Sequence, residues 1–193
     1  MEGDQAQLLK AITSFLKINK IPYMITGAWS AIYYGRPRAS HDIDFVLELP
    51  SQDQKKAISV FEKLPETFFV QTESIKEAID QRSIFNVIHL PSALKLDFWI
   101  LTDDLFDKSR FSRRVKVKIL GQPMNMASAE DTILQKLRWY KIGKIEKHLI
   151  DAAFVYQIQK NNLNKEYLAD WARRLGLGKY LRQLPRINLE EYL

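Results

Sequence analysis

The chain has 193 residues, 46% of them hydrophobic and 27% charged, a balance that suits a folded globular protein and excludes wholesale disorder. It contains no cysteine, which excludes zinc–thiolate sites and disulfide frameworks and fits a reducing cytoplasm. The net charge is +6, and residues 128–193 hold 12 basic against 8 acidic residues, so the surplus is concentrated in the C-terminal part.

Residues 5–18 place Leu8, Ala11, Ile12, Phe15, Leu16 and Ile18 at the spacing of an amphipathic helix. Pro22 follows, and Tyr23 to Thr26 reads as a short buried strand. Gly27 permits a tight turn, Ala28 to Tyr34 forms a helix, and Gly35 and Pro37 break it. A second strand runs from Ile43 to Leu49, and Ser51 caps a helix over residues 52–64. A strand over 67–71 and a helix or turn over 74–80 come next. Residues 83–90 and 94–101 then read as a hairpin across Pro91-Ser92. In its second arm Leu94, Leu96, Phe98 and Ile100 share one face. Lys95, Asp97, Trp99 and Leu101 share the other, a surface that need not be core. Residues 113–120 alternate basic and apolar residues up to Gly121, the look of an edge strand.

After Met126 the pattern turns helical. Ser128-Ala129-Glu130-Asp131 is an N-cap signature, and Ile133, Leu134, Leu137 and Tyr140 form an inward stripe up to Gly143. Helices follow over 146–160 and 165–175, the latter capped by Asn164, and a short basic tail begins at Gly176. The expected organisation is an α/β (α+β) core over residues 1–127, a mixed sheet flanked by helices, and a helical C-terminal segment over 128–193. The first residues lack a basic-then-apolar leader pattern and no apolar run is long enough to span a bilayer, so the expected location is the cytoplasm, with no membrane.

Chemistry concentrates between Ile25 and Leu47. Successive strand residues alternate faces, so Asp42 and Asp44 project on the same side. Two carboxylates that close repel unless a cation or a proton sits between them. Upstream, a helix opening at Gly27 and Ala28 offers unpaired backbone N–H groups and a partial positive charge to a phosphate. Mg²⁺ held by Asp42 and Asp44 against that phosphate would neutralise the charge that develops in phosphoryl-type transfer. A third carboxylate is needed to activate the attacking hydroxyl or complete a second metal site, and Asp97 is the candidate.

Other polar groups have two readings each. Arg38 clamps a triphosphate or orients Asp42, or else forms a loop ion pair. Ser40 sits in the same loop, and His41 is a solvent-side neighbour. Lys136 borders a cleft as a point charge for a phosphate. Asp151 lies in an apolar helical run where an unpaired carboxylate would be costly. It needs a partner, either Lys136 or His148, and that pair is structural or belongs to a nucleotide site. Trp139 points off the Leu134–Leu137 stripe, to stack a base or to pack on the next helix.

Gly27-Ala28-Trp29-Ser30, the loop Gly35-x-Pro37-Arg38-Ala39-Ser40 and His41-Asp42-Ile43-Asp44 together resemble the polymerase-β-type nucleotidyltransferase signature. The form is similar to that of small bacterial nucleotidyltransferases of the AbiEii toxin type. Ala127-Ser128-Ala129-Glu130-Asp131-x-Ile133-Leu134-x-Lys136-Leu137 and Lys147-His148-x-x-Asp151 resemble that group's later motifs, so the resemblance spans about residues 21–155. It implies Mg²⁺ or Mn²⁺ on Asp42, Asp44 and Asp97, and an NTP whose phosphates meet Gly27 and Ala28. Arg38, Ser40, Lys136 and Asp151 complete the implied nucleotide site. The acceptor would be RNA, protein or a small molecule, and a toxin would have an antitoxin partner. One departure is Ala28, where the family usually has Gly or Ser: the small size is kept and a hydroxyl is lost. The alternatives left open are a nucleotide-binding module that has lost turnover and an antibiotic-type adenylyltransferase.

Overall fold

A computed structural model describes residues 2–192; Met1 and Leu193 lie outside the description, as do the side chains of residues 2–4 and 51. The fold divides into two units, residues 1–26 with 40–126, and residues 27–39 with 127–193.

The first unit is built on alternation. Strands β1 (Tyr23–Thr26), β2 (Asp42–Leu47), β3 (Phe68–Val70), β4 (Ile84–His89), β5 (Leu94–Ile100), β6 (Val115–Ile119) and β7 (Gln122–Met126) form a sheet in the order β3-β4-β5-β2-β1-β7-β6. The β2–β5 and β1–β7 pairs are parallel and the remaining pairs antiparallel, so the sheet is mixed, as expected. Residues paired across strands share a face. Phe85, Phe98 and Phe45 fall in one row, β4 to β5 to β2. Their rings stack at 5.2 and 5.1 Å between centroids.

Helices α1 (Glu2–Ile18) and α3 (Gln54–Phe61) cover this aromatic face. Phe61 meets Phe85 and Phe98 edge-on at 5.0 and 5.4 Å, and Phe15 meets Phe61 at 5.8 Å. Each such pair adds about 0.5–1.5 kcal/mol beyond its area burial. Helix α4 (Thr72–Gln81) buries Ile75, Ala78 and Ile79.

Several boundaries differ from expectation. Helix α3 starts at Gln54 with Asp53 at its N-cap, after a 3₁₀ turn over Ser51–Asp53. The expected Ser51 cap rests on a side chain outside the description. Strand β2 stops at Leu47. Helix α5 (Leu105–Ser112) and strand β7 were not anticipated. The signal for α5 was Asp104, whose carboxylate accepts from the amides of Phe106 and Asp107. Strand β7 contains Pro123 and alternates only over Met124-Asn125-Met126, and its pairing with β6 and β1 makes it a strand. Strand β6 is at the sheet edge, as its lysines suggest.

The second unit is helical: α2 (Gly27–Tyr34), α6 (Ala129–Gly143), α7 (Glu146–Gln159), α8 (Lys165–Arg174) and α9 (Gly178–Leu181), with 3₁₀ turns at Leu184–Arg186 and Glu190–Tyr192 where a plain tail was expected. Ser128 caps α6 by accepting from the Asp131 amide at 3.1 Å, and its hydroxyl donates to the Asp131 carboxylate at 2.8 Å. The Tyr167 hydroxyl donates to the other oxygen of Asp131 at 2.6 Å, which ties α8 to the start of α6. Asn164 caps α8, as its position predicts. Gly35 lies under α7: a Cβ there would stand 2.7 Å from the Ala31 carbonyl oxygen and 3.3 Å from Phe154 and Val155, so only glycine fits. Among the described residues no helix is long and apolar enough to cross a membrane.

Candidate active site

Because Asp44 pairs with Asp97 across β2–β5, with Thr26 across β1–β2, and Asp97 with Asn86 across β4–β5, one polar row crosses four strands: Asn86, Asp97, Asp44, Thr26. It lies on the face opposite the phenylalanine row, one residue out of phase. The next same-face row places Lys95 beside Asp42. The two predicted aspartates and the predicted third carboxylate are therefore on one face of adjacent parallel strands.

The groups differ in setting. Asp42 is half exposed, whereas Asp97 is buried, with 11% of its side chain accessible. The expectation of a surface position for Asp97 is corrected accordingly. The face is not core, yet Asp97 is covered and hydrogen-bonded. Its Oδ1 accepts from Asn86 Nδ2 at 2.5 Å and its Oδ2 is 3.1 Å from Lys95 Nζ. Lys95 Nζ is also 4.0 Å from Asp42 Oδ1. Asp44 Oδ1 accepts from Trp99 Nε1 at 3.4 Å. The Asp97 hydrogen bond raises the Lys95 pKa, against a smaller opposing effect of burial and with help from the charges of Asp97, Asp42 and Asp44. At the far end of the row, Arg110 Nη1 donates to Thr26 Oγ1 at 3.5 Å while its Nε donates to Asp107 at 2.9 Å.

Three carboxylates and one ammonium gather on this face. The donors are anionic oxygens, the type that hard divalent ions such as Mg²⁺ prefer. As the side chains are placed, no three His, Cys, Asp or Glu among the described residues form a metal-holding group. The cation at Asp97 is Lys95. Donor type, charge and strand placement fit a divalent ion, and Lys95 is what stands against it.

Ser40, named for the nucleotide, is buried and works inward: its hydroxyl donates to the Asp42 carbonyl at 3.1 Å, and its own carbonyl accepts from Gln5 at 2.8 Å. These bonds fix the backbone at the start of β2. His41 is exposed, as expected.

In the helical unit, Gly27 opens α2 with φ of 66°, a left-handed conformation that glycine adopts without steric cost. The first turn of α2 carries no acidic side chain to oppose an anion. Arg38, Lys136 and Asp151 come together. Arg38 grips Asp151 with two hydrogen bonds, Nε to Oδ1 at 3.0 Å and Nη2 to Oδ2 at 2.8 Å. Lys136 Nζ donates to Oδ2 at 2.7 Å. The side chains are 13%, 7% and 4% exposed in that order. Burial works to raise the Asp151 pKa, and the two cations outweigh it and lower it.

Asp151 thus has the expected Lys136 partner, and a second in Arg38, 113 residues away and unforeseen. Since Asp151 takes both cations, Arg38 is not turned toward a free phosphate as placed. His148, the other expected partner, makes no hydrogen bond to Asp151, whose oxygens are already taken; its Nδ1 is buried without a partner. Its pKa is lowered by burial and by Lys136.

The sequence reading missed Lys95, Asn86 and Trp99. The Lys95-x-Asp97-x-Trp99 alternation already put two of them on the Asp97 face. Asn86 could be found only through the β4–β5 register.

No curated protein matches the chain. Solved structures that share its fold include the antibiotic-resistance factor ANT(2'')-Ia in solution, at 15% identity and a TM-score of 0.61, over 95% of this chain and 99% of that one. The crystal structure of ANT(2'')-Ia with adenylyl-2''-tobramycin matches at 16% identity and 0.57, over 89% and 97%. The lincosamide antibiotic adenylyltransferase LnuA, bound to lincomycin, matches at 17% and 0.51, over 78% and 95%. The family model described as nucleotidyl transferase AbiEii toxin, type IV toxin–antitoxin system, matches residues 27–191, from the opening of α2 past the last helix. The span takes in the Asp42–Asp44 strand, the Asp97 strand and the Arg38–Lys136–Asp151 cluster, and the chain belongs to the AbiEii nucleotidyltransferase family and is a nucleotidyltransferase.

Proposed function

We propose that this chain moves a nucleoside monophosphate from an NTP to an acceptor hydroxyl with the help of a divalent ion, Mg²⁺ or Mn²⁺, on Asp42, Asp44 and Asp97. The observation that carries this reading is the placement of those three carboxylates on one face of adjacent strands. A bound divalent ion would neutralise charge on the reacting phosphate. Asp97, buried and held by Asn86, would take the proton of the acceptor hydroxyl once Lys95 releases it. Gly27 and Ala28 would meet phosphate through backbone N–H groups at the start of α2, which the missing Ser hydroxyl at position 28 does not remove. Arg38 and Lys136, gathered around Asp151, are the cations we assign to the nucleotide.

The acceptor we favour is a macromolecule, in a toxin that an antitoxin partner restrains, because the family is described by that system and the C-terminal part of the chain is basic. A second reading, a small hydroxyl-bearing antibiotic, is supported by the fold shared with ANT(2'')-Ia and LnuA. Labelled NTPs offered with total RNA and with an aminoglycoside and lincosamide panel distinguish the two. Label on RNA, with acceptor affinity falling steeply as salt rises, is the expected result. Label confined to the antibiotics would favour the second reading, and tight NTP binding without any pyrophosphate release would leave a binding module.

A further inference from the structure

Lysine is at home on sheet edges, where its charge discourages strand pairing. Lys95 is not on an edge: β5 lies between β4 and β2. Its ammonium is held between two carboxylates of this face, 3.1 Å from Asp97 and 4.0 Å from Asp42, while 44% of the side chain remains accessible. A long, half-exposed stem with a point charge at its tip can swing out to water at little cost.

We propose that Lys95 is the resident counter-ion of the carboxylate site, holding Asp97 while no metal is bound and exchanging against the divalent ion when it arrives. The proposal rests on the reading of Asp42, Asp44 and Asp97 as the metal-holding carboxylates. The ammonium holds the Asp97 carboxylate in place without an ion, and it lowers the metal affinity of the site because the incoming charge must displace it. The released ammonium is then available to the phosphates that enter with the metal.

The test is Mn²⁺ binding to the full chain without nucleotide, followed by the paramagnetic resonance of free Mn²⁺ at fixed salt, for wild type, Lys95→Gln, Lys95→Arg and Asp44→Asn. Lys95→Gln should bind Mn²⁺ about fivefold more tightly, the size of coupling expected of a partly exposed ion pair. Lys95→Arg, which keeps the charge, should stay near wild type. Equal or weaker binding by Lys95→Gln overturns the proposal while leaving the carboxylate site standing. No Mn²⁺ binding by wild type, or unchanged binding by Asp44→Asn, removes the site and the proposal together. Should Lys95→Gln fail to fold, the ammonium ¹⁵N–¹H signal of Lys95 in wild type decides: it should lose its ion-paired character as Mg²⁺ is added, and a signal indifferent to saturating Mg²⁺ overturns the exchange.

Discussion

Asp151 shows how one residue constrains its surroundings. Buried at 4% of its side-chain surface, it is held by three short hydrogen bonds from two cations. Removing the negative charge takes their shared carboxylate from Arg38 and Lys136, two largely buried cations. Asp151→Asn should therefore cost about 3–5 kcal/mol in chemical denaturation, the scale for breaking a buried pair from one side. The pH dependence has a definite sign. The folded pKa of Asp151 lies below its ordinary 3.8, so its contribution to stability is present above that value and lost as the pH falls through the folded one. The acid limb of the stability curve should flatten in Asp151→Asn. An unchanged limb and a loss under 1 kcal/mol would show that the cluster is not coupled to folding. Ser40 makes a similar point for function: its hydroxyl bonds the Asp42 carbonyl, so it supports the aspartate strand from within.

At the scale of elements, capping and alternation carried most of the information. Ser128 begins α6 as its spacing from Asp131 predicts, and Ser128→Ala should cost about 1 kcal/mol of stability, read in the midpoint of urea unfolding. A larger loss would mean that the side-chain bond from Ser128 to Asp131, and through it Tyr167, carries more than a cap. The β4–β5 hairpin was legible because Leu94, Leu96 and Phe98 alternate with Lys95 and Asp97 beyond the Pro91-Ser92 break. Strand β7 was not, because a five-residue strand with a proline becomes one only through neighbours far away in sequence. The site divides the same way. Asp42, Asp44 and Asp97 were legible from strand phase, whereas Asn86 as partner of Asp97, and Arg38 as partner of Asp151, needed register and helix packing that no local pattern encodes.

For the whole molecule, the sheet performs two tasks one residue out of phase. The Phe85–Phe98–Phe45 row faces α1 and α3 as core, and the Asn86–Asp97–Asp44–Thr26 row faces the other way and carries two of the carboxylates proposed for the metal. A register slip of one residue would exchange the two faces, so a well-packed aromatic core and an assembled carboxylate site require the same strand pairing. Family membership and the fold shared with adenylyltransferases accord with that arrangement. The claim that this row of carboxylates performs the transfer is tested most directly by comparing wild type with Asp44→Asn for release of pyrophosphate from labelled NTP in Mg²⁺, with circular dichroism to establish that both are folded. Asp44→Asn should retain the fold and lose about a hundredfold or more in rate, the scale of a metal's several kcal/mol of charge stabilisation. A folded Asp44→Asn protein that turns over at the wild-type rate would contradict the account.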